Sequence, residues 1–195
     1  MGRNVFHTSH EQAGANRFGL WIFLSTVAIL FAAAMLGVLA IRMETANWPE
    51  HLPPLPPVLW GSMGVLVASG ISMQWGIRAS RRGHLSVVRV TLSSSFLLVI
   101  VFLIMQGIAW MDWSSSIEEL SLFDAEHRLA GTGLLFLIGL HAVHVVGGLL
   151  PLAAVVWCAV VRGTVTSLLD STAIYWHVLE TLWCVLVVFM AVVLF

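Results

Sequence analysis

The chain of 195 residues is 59% apolar and only 10% charged. A water-soluble domain carries about 25% charged residues because its surface has to be wetted, so an ordinary globular protein is excluded and lipid is the expected solvent. All nine basic residues are arginines, balanced by ten acids, and no basic stripe long enough to follow phosphates is present, so nucleic acid is not an expected partner.

Residues 1–16 are polar and lack the short apolar core of a secretory signal, so the first apolar run is expected to stay in the mature chain. A helix needs about 20 apolar residues to cross a hydrocarbon core of about 30 Å. Five runs meet that length: 18–41, 58–77, 87–109, 129–161 and 171–195. They are continuous and rich in Leu, Val, Ala and Gly, whereas barrel strands would alternate, so helices are the expected spanning element. The expected fold is all-α: a single membrane domain, 1–195, built as an integral membrane bundle of five transmembrane helices.

The first run follows Arg3 and Arg17. With the N-terminus in the cytoplasm, Arg3, Arg17, Arg78, Arg81, Arg82, Arg89 and Arg162 fall inside and only Arg42 and Arg128 outside, so the positive-inside rule gives N-in, C-out. Between the first two runs, 47–57 carries five of the six prolines and predicts a stiff extended lid on the outer face. After the third run, Ser115 precedes Glu118 by three residues. This stretch reads either as a short interfacial helix capped by that serine or as an irregular loop anchored by Trp110 and Trp113. The fourth run is too long to lie wholly in lipid and holds Pro151, a candidate kink. Cys158 and Cys184 sit inside apolar runs, as small hydrophobes rather than halves of a disulfide framework.

An ionisable side chain in lipid costs several kcal/mol unless it is paired or turned inward, so the buried polar residues are the candidates for function. They are His141, His144, His177, Glu180, Gln106, Gln74 and several hydroxyls. His141 and His144 share one helix face at i and i+3 but lack a third ligand for copper or zinc. For haem, the depth is wrong: counted from the span ends at 1.5 Å per residue, His177 lies about 9 Å and His144 about 26 Å from the cytoplasmic side. The reading taken for the His141 and His144 pair is interhelical hydrogen bonding beside Gly139, Gly147 and Gly148. Glu180, about 13 Å deep near the level of Thr26 and Ser93 to Ser95, has His177 one turn earlier as its nearest partner. It reads either as a proton-handling group or as half of a pair that fixes helix packing; with no further acids leading outward, packing is preferred. Gly61, Gly64, Ala68, Gly70 and Gly131 mark helix seams.

Three segments then resemble one family. Gly19-Leu20-Trp21-Ile22-Phe23-Leu24-Ser25-Thr26 is similar to the opening helix of short bacterial subunits III of haem-copper oxidases. Gly139-Leu140-His141-Ala142-Val143-His144-Val145-Val146-Gly147-Gly148 resembles that family's His-x-x-His-Val helix. Tyr175-Trp176-His177-Val178-Leu179-Glu180-Thr181-Leu182-Trp183 resembles its Tyr-Trp-His-x-x-acid-x-x-Trp signature. The resemblance spans all five runs in order and implies the short, five-helix form. The family usually carries a buried Glu on the first span where this chain has Val27, which leaves Glu180 as the sole intramembrane carboxylate.

What the resemblance implies is a non-catalytic subunit of a terminal oxidase in the bacterial inner membrane, taking part in aerobic respiration, with proton pumping, electron transfer from cytochrome c or quinol, and reduction of oxygen. Such a subunit carries no haem or copper itself. Haem and copper belong to the catalytic subunit I, beside which it sits with subunit II, and bound phospholipid is expected. His141, His144, His177, Glu180 and Trp183 are the structural or proton-related candidates. The alternatives are an accessory subunit of a nitric oxide reductase, a di-haem membrane anchor, and a small transporter with a helix broken near Pro151.

Overall fold

The computed structural model describes residues 9–44, 55–121, 125–165 and 168–194. They form five α-helices: α1 (Ser9–Glu44), α2 (Pro57–Arg81), α3 (Leu85–Ser121), α4 (Ala125–Trp157) and α5 (Leu168–Leu194). A π-helical turn, Cys158–Arg162, prolongs α4.

The helices begin and end where backbone chemistry requires. Pro57 opens α2 at a position whose N–H would be unpaired in any case. The α2–α3 turn closes on Gly83 at φ 74°, with the amides of Arg82 and His84 donating to the Ala79 carbonyl at 3.1 and 3.0 Å. Gly163 at φ 66° ends the π-helical turn, where the Thr164 amide donates to the Cys158 carbonyl at 3.2 Å. Arg89 reaches across from α3 and donates from Nε to the Ala159 carbonyl at 2.9 Å, satisfying a carbonyl that the widened turn leaves open. α4 continues through Pro151 as one helix, so the broken element that a transporter would need is not formed there.

One expectation for the loops changes. α3 runs on to Ser121, and Ser115 donates from Oγ to the Asp112 carbonyl at 2.8 Å as a residue inside that helix, so it caps no separate interfacial helix. Of the proline-rich segment, residues 45–54 lie outside the described ones; Pro56 and Pro57 are the entry to α2.

Apolar residues at seven-residue steps line the interior: Leu59, Leu66 and Met73 on α2, and Ile138, Val145, Leu152 and Ala159 on α4 with its π-helical extension. Trp176, Leu179, Trp183, Leu186, Met190 and Val193 on α5 follow three- and four-residue steps, the seam pattern of packed helices. α2, α3, α4 and α5 form a ring in which each packs on its neighbours, and α1 lies against α4 and α5. Among the described residues α1 does not reach α2, so a strip of α5 faces outward between them. The outside is as apolar as the inside: Ile29, Leu36, Val90, Leu97, Ile104, Val143 and Leu150 are exposed. Apolar surface on this scale matches hydrocarbon, not water.

α1, α3, α4 with its extension, and α5 are each long and apolar enough to cross a membrane. α2 is less apolar because Ser62, Ser69, Ser72 and Gln74 stand along it, and all four are hydrogen-bonded.

Candidate functional site

The outward strip of α5 carries His177 and Glu180, one turn apart. His177 Nδ1 lies 2.8 Å from Glu180 Oε2, and Gln74 Nε2 on α2 lies 2.7 Å from His177 Nε2. With the Gln74 amide donating to Nε2, the ring proton sits on Nδ1 and is given to the carboxylate. One proton assignment therefore satisfies the whole chain Gln74–His177–Glu180. The carboxylate side chain is 13% exposed and the imidazole 32%. Glu180 rests directly on Gly70: a Cβ built there would collide with the carboxylate oxygens and Cδ. Gly70 and Gln74, four residues apart on one face of α2, are thus the floor and the far end of the site. Oε1 of Glu180 has no hydrogen-bond partner among the described residues.

Two clefts flank this chain. An open apolar cleft of about 540 Å³ lies between α1 and α5, bounded by Phe31, Met35, His177, Thr181 and Val185. A smaller one of about 300 Å³ lies between α2 and α5, bounded by Ile71, Gln74, His177 and Glu180.

His141 and His144 face the other side of α5. His141 is fully buried, stacked on Trp183 at 4.7 Å between ring centroids and edge-on to Phe102 at 6.0 Å. Neither of its nitrogens has a hydrogen-bond partner among the described residues. His144 donates from Nδ1 to the Leu140 carbonyl of its own helix at 2.8 Å and lies 5.4 Å from the Phe31 ring. The imidazole hydrogen bonds expected across the seam are therefore not what joins these helices. The ring stack of Phe31, His141, Phe102 and Trp183 takes their place, with the Tyr175 hydroxyl donating to the His144 carbonyl at 2.8 Å.

His144 and His177 also lie closer in depth than counting from the span ends gives. Gly148 packs on Tyr175 and Trp176, and His141 on Trp183, a register that brings His144 to within about one helical turn of His177. α4 with its extension overshoots the start of α5, which counting from span ends does not reveal. What parts His144 from His177 is direction: one turns into the aromatic stack, the other to Gln74 and Glu180. Among the described residues no three His, Cys, Asp or Glu side chains gather as a metal site.

Depth holds for Glu180. It contacts Gly70, whose neighbour Ser69 bonds Ser95 at 3.0 Å between hydroxyls, so Glu180 lies at the level of Ser95 as expected. Val27, where a Glu is usual in the family that the sequence resembles, is buried in the core. The glycine seams are real at Gly61, Gly70, Gly131, Gly139 and Gly148, where neighbouring side chains fill the space of a Cβ; Gly64 and Gly147 have no such neighbour.

The family model described as Cytochrome c oxidase subunit III matches residues 4–194. The chain belongs to that family. It is 27% identical over 186 residues to cytochrome bo(3) ubiquinol oxidase subunit 3 of Pseudomonas aeruginosa, covering 92% of this chain and 86% of the relative. It is 24% identical over 186 residues to cytochrome c oxidase subunit 3 of Synechocystis sp., covering 92% and 76%. With cytochrome c oxidase subunit 3 of Bacillus sp. strain PS3 the identity is 25% over 178 residues, covering 87% and 82%. Membership of the subunit III family agrees with the reading of the motifs on α1, α4 and α5. The signature around His177 and Glu180 builds the α2–α5 site, and the His-x-x-His segment builds the ring stack.

Proposed function

We propose that the chain is the non-catalytic subunit III of a bacterial haem-copper terminal oxidase, a five-span protein of the inner membrane with its N-terminus in the cytoplasm. The family match across residues 4–194 carries this reading. The aromatic and polar seams support it: Ser69 with Ser95 and Gln106 with Ser62 tie α2 to α3, and His141 with Trp183 ties α4 to α5. Catalytic chemistry, with haem and copper, belongs to subunit I. This chain stabilises it together with subunit II, and its apolar clefts suit lipid contact.

α2 counts as the fifth span on physical grounds. It is 25 residues long, about 37 Å, and its outward residues Trp60, Val67, Ile71 and Trp75 are apolar. Its serines and Gln74 are spent on α3 and α5, so its modest apolarity does not face lipid. Five crossings then place the arginine-rich α2–α3 turn and Arg162 on the N-terminal side, which the positive-inside rule makes cytoplasmic.

Within the site, Glu180 and His177 serve packing. They tie α5 to α2 through Gln74.

The experiment is affinity purification of the tagged chain from its native membrane in mild detergent. A partner carrying two haems and copper, with oxygen-reducing activity in the eluate, is the expected result. Recovery of the chain without any haem-bearing partner would overturn the reading. A haem band in the isolated chain would instead favour a membrane anchor. Alkaline phosphatase fused after Phe195 is expected to be active, and an inactive fusion would refute the five-span topology.

A further inference from the structure

Glu180, the intramembrane carboxylate, does not lie in the closed interior of the bundle. It borders the groove of about 300 Å³ between α2 and α5, with 13% of its side chain and 32% of that of His177 open to the outside. Among the described residues α1 does not reach α2, so no helix of this chain covers the groove. An ionisable group turned to hydrocarbon is costly, and in membrane helices such groups face protein or water instead. The exposed hydroxyls differ: Ser25, Thr26 and Thr181 donate to carbonyls of their own helices and present no unmet bond to a neighbour. The Glu180 carboxylate accepts one bond, from His177, where an ionised carboxylate has room for about four. Both nitrogens of His177 are engaged, one by Gln74 and one by Glu180, so α5 offers a neighbour an acceptor here, not a donor.

Depth decides what can cover that acceptor. From Arg78, at the α2–α3 end of the groove, to Gly70 against the carboxylate, α2 rises about 12 Å. A lipid head group stays at the membrane surface, and its acyl chain has nothing to donate at that depth. A transmembrane helix can set a side-chain donor there. The walls suit one. Val67 and Ile71 on the α2 rim and Val188 further along α5 are exposed and apolar. Gly64 is exposed with nothing of this chain in the space of a Cβ, which lets a second backbone come close to α2.

We propose that the α2–α5 groove is the docking face for a transmembrane helix of a partner subunit, and that this helix delivers a neutral hydrogen-bond donor, a hydroxyl or a side-chain N–H, to the Glu180 carboxylate. This rests on the reading of the chain as subunit III, in which the catalytic subunit supplies that helix. A neutral donor meets the carboxylate without the desolvation of a second charge.

The test places photoreactive p-benzoylphenylalanine at Ile71 or Val67 on the groove rim, and at Leu97 on α3 or Leu150 on α4 as outward controls, in the complex irradiated within its native membrane. Adducts are mapped by mass spectrometry. Ile71 and Val67 are expected to join one membrane span of the catalytic subunit, and that span is expected to hold Ser, Thr, Tyr, Trp, Asn or Gln within one helical turn of the adduct. Adducts to lipid alone at both rim positions overturn the proposal and assign the groove to lipid. Protein adducts at Leu97 or Leu150 with none at the rim place the docking face elsewhere and overturn it too, as does a joined span that holds no such donor. Replacing the donor by alanine is expected to lower recovery of the chain with its partner about tenfold in wild type. The same replacement is expected to have no further effect beside Glu180→Leu, and full independence of the two changes overturns the donated bond. Rim adducts to a partner that carries no haem would uphold the docking face and overturn the oxidase assignment, so the two fail separately.

Discussion

The two seams of the bundle are held by different chemistry. Between α2 and α3, hydroxyls and an amide meet in a ladder. Gln106 donates to Ser62 Oγ at 3.0 Å, Ser69 and Ser95 exchange bonds, and Ser72 donates to the Thr91 carbonyl at 2.9 Å. Where α1, α3, α4 and α5 meet, rings replace the ladder, with His141 acting as one of them. In a membrane the apolar effect does not separate inside from outside, because lipid tails are as apolar as leucine, so association rests on close packing and on polar bonds. The polar seam fixes register bond by bond, each contributing about 0.6 kcal/mol. The aromatic seam gains from area and shape, with fewer directional constraints. α3 belongs to both seams, its Thr91, Ser95 and Gln106 turned to α2 and its Phe102 to the rings, while α5 adds Trp183 to the rings and turns His177 and Glu180 to α2.

Removing a ring should do the most damage. Trp183→Ala is expected to cost about 3–5 kcal/mol by opening a cavity under His141 and Phe102. Thermal unfolding of the complex in detergent would show it as early release of this subunit, and unchanged release would mean that the stack is not what holds α4 to α5. Next is Gly70→Ala, at about 2 kcal/mol, since the new methyl displaces the Glu180 carboxylate from its place beside His177. The double variant Gly70→Ala, Glu180→Ala is expected to recover much of the loss, and an additive cost would deny the contact. Ser69→Ala should cost about 1 kcal/mol or less, and combining it with Ser95→Ala should cost less than the sum of the two, because the contact between the hydroxyls is shared although each also reaches the other's carbonyl. Strict additivity of the two would argue against a shared ladder.

The smallest effect is expected at Glu180→Gln. The amide oxygen of Gln accepts the same bond from His177 Nδ1, so oxygen-reduction turnover should change by less than about twofold, with its pH profile unaltered. A large, pH-dependent fall in turnover would give Glu180 a proton-handling role and dissolve the contrast between a packing site and a reaction centre.

Much of the site was legible before the fold. His177 and Glu180 lie on one strand of sequence at i and i+3, and helical geometry alone makes them partners. Gln74 and Gly70 were visible as a polar group and a small residue in an apolar run, but nothing local says that they face α5. Their spacing of four, which puts both on one side of α2, is the one signal that pointed to a shared neighbour. The aromatic role of His141 was hidden for a different reason: an imidazole in lipid is expected to seek a hydrogen bond, and only the placement of Phe31, Phe102 and Trp183 around it shows a ring used as a ring.

By itself the sequence determined the solvent, the helical class and the family. Those follow from the length of apolar runs, from the obligation of every backbone group in lipid to bond within its own helix, and from three motifs on separate spans. It also made the pair of His177 and Glu180 certain, because neighbours along one helix are fixed by the helix. The tertiary structure decided everything that depends on two helices sliding past each other. The overshoot of α4 beyond the start of α5 brings His144 to within about one helical turn of His177, and the side-by-side placement of α2 and α5 sets Glu180 on Gly70. Axial register between helices is set by packing and bonds across the seam, which no single span encodes.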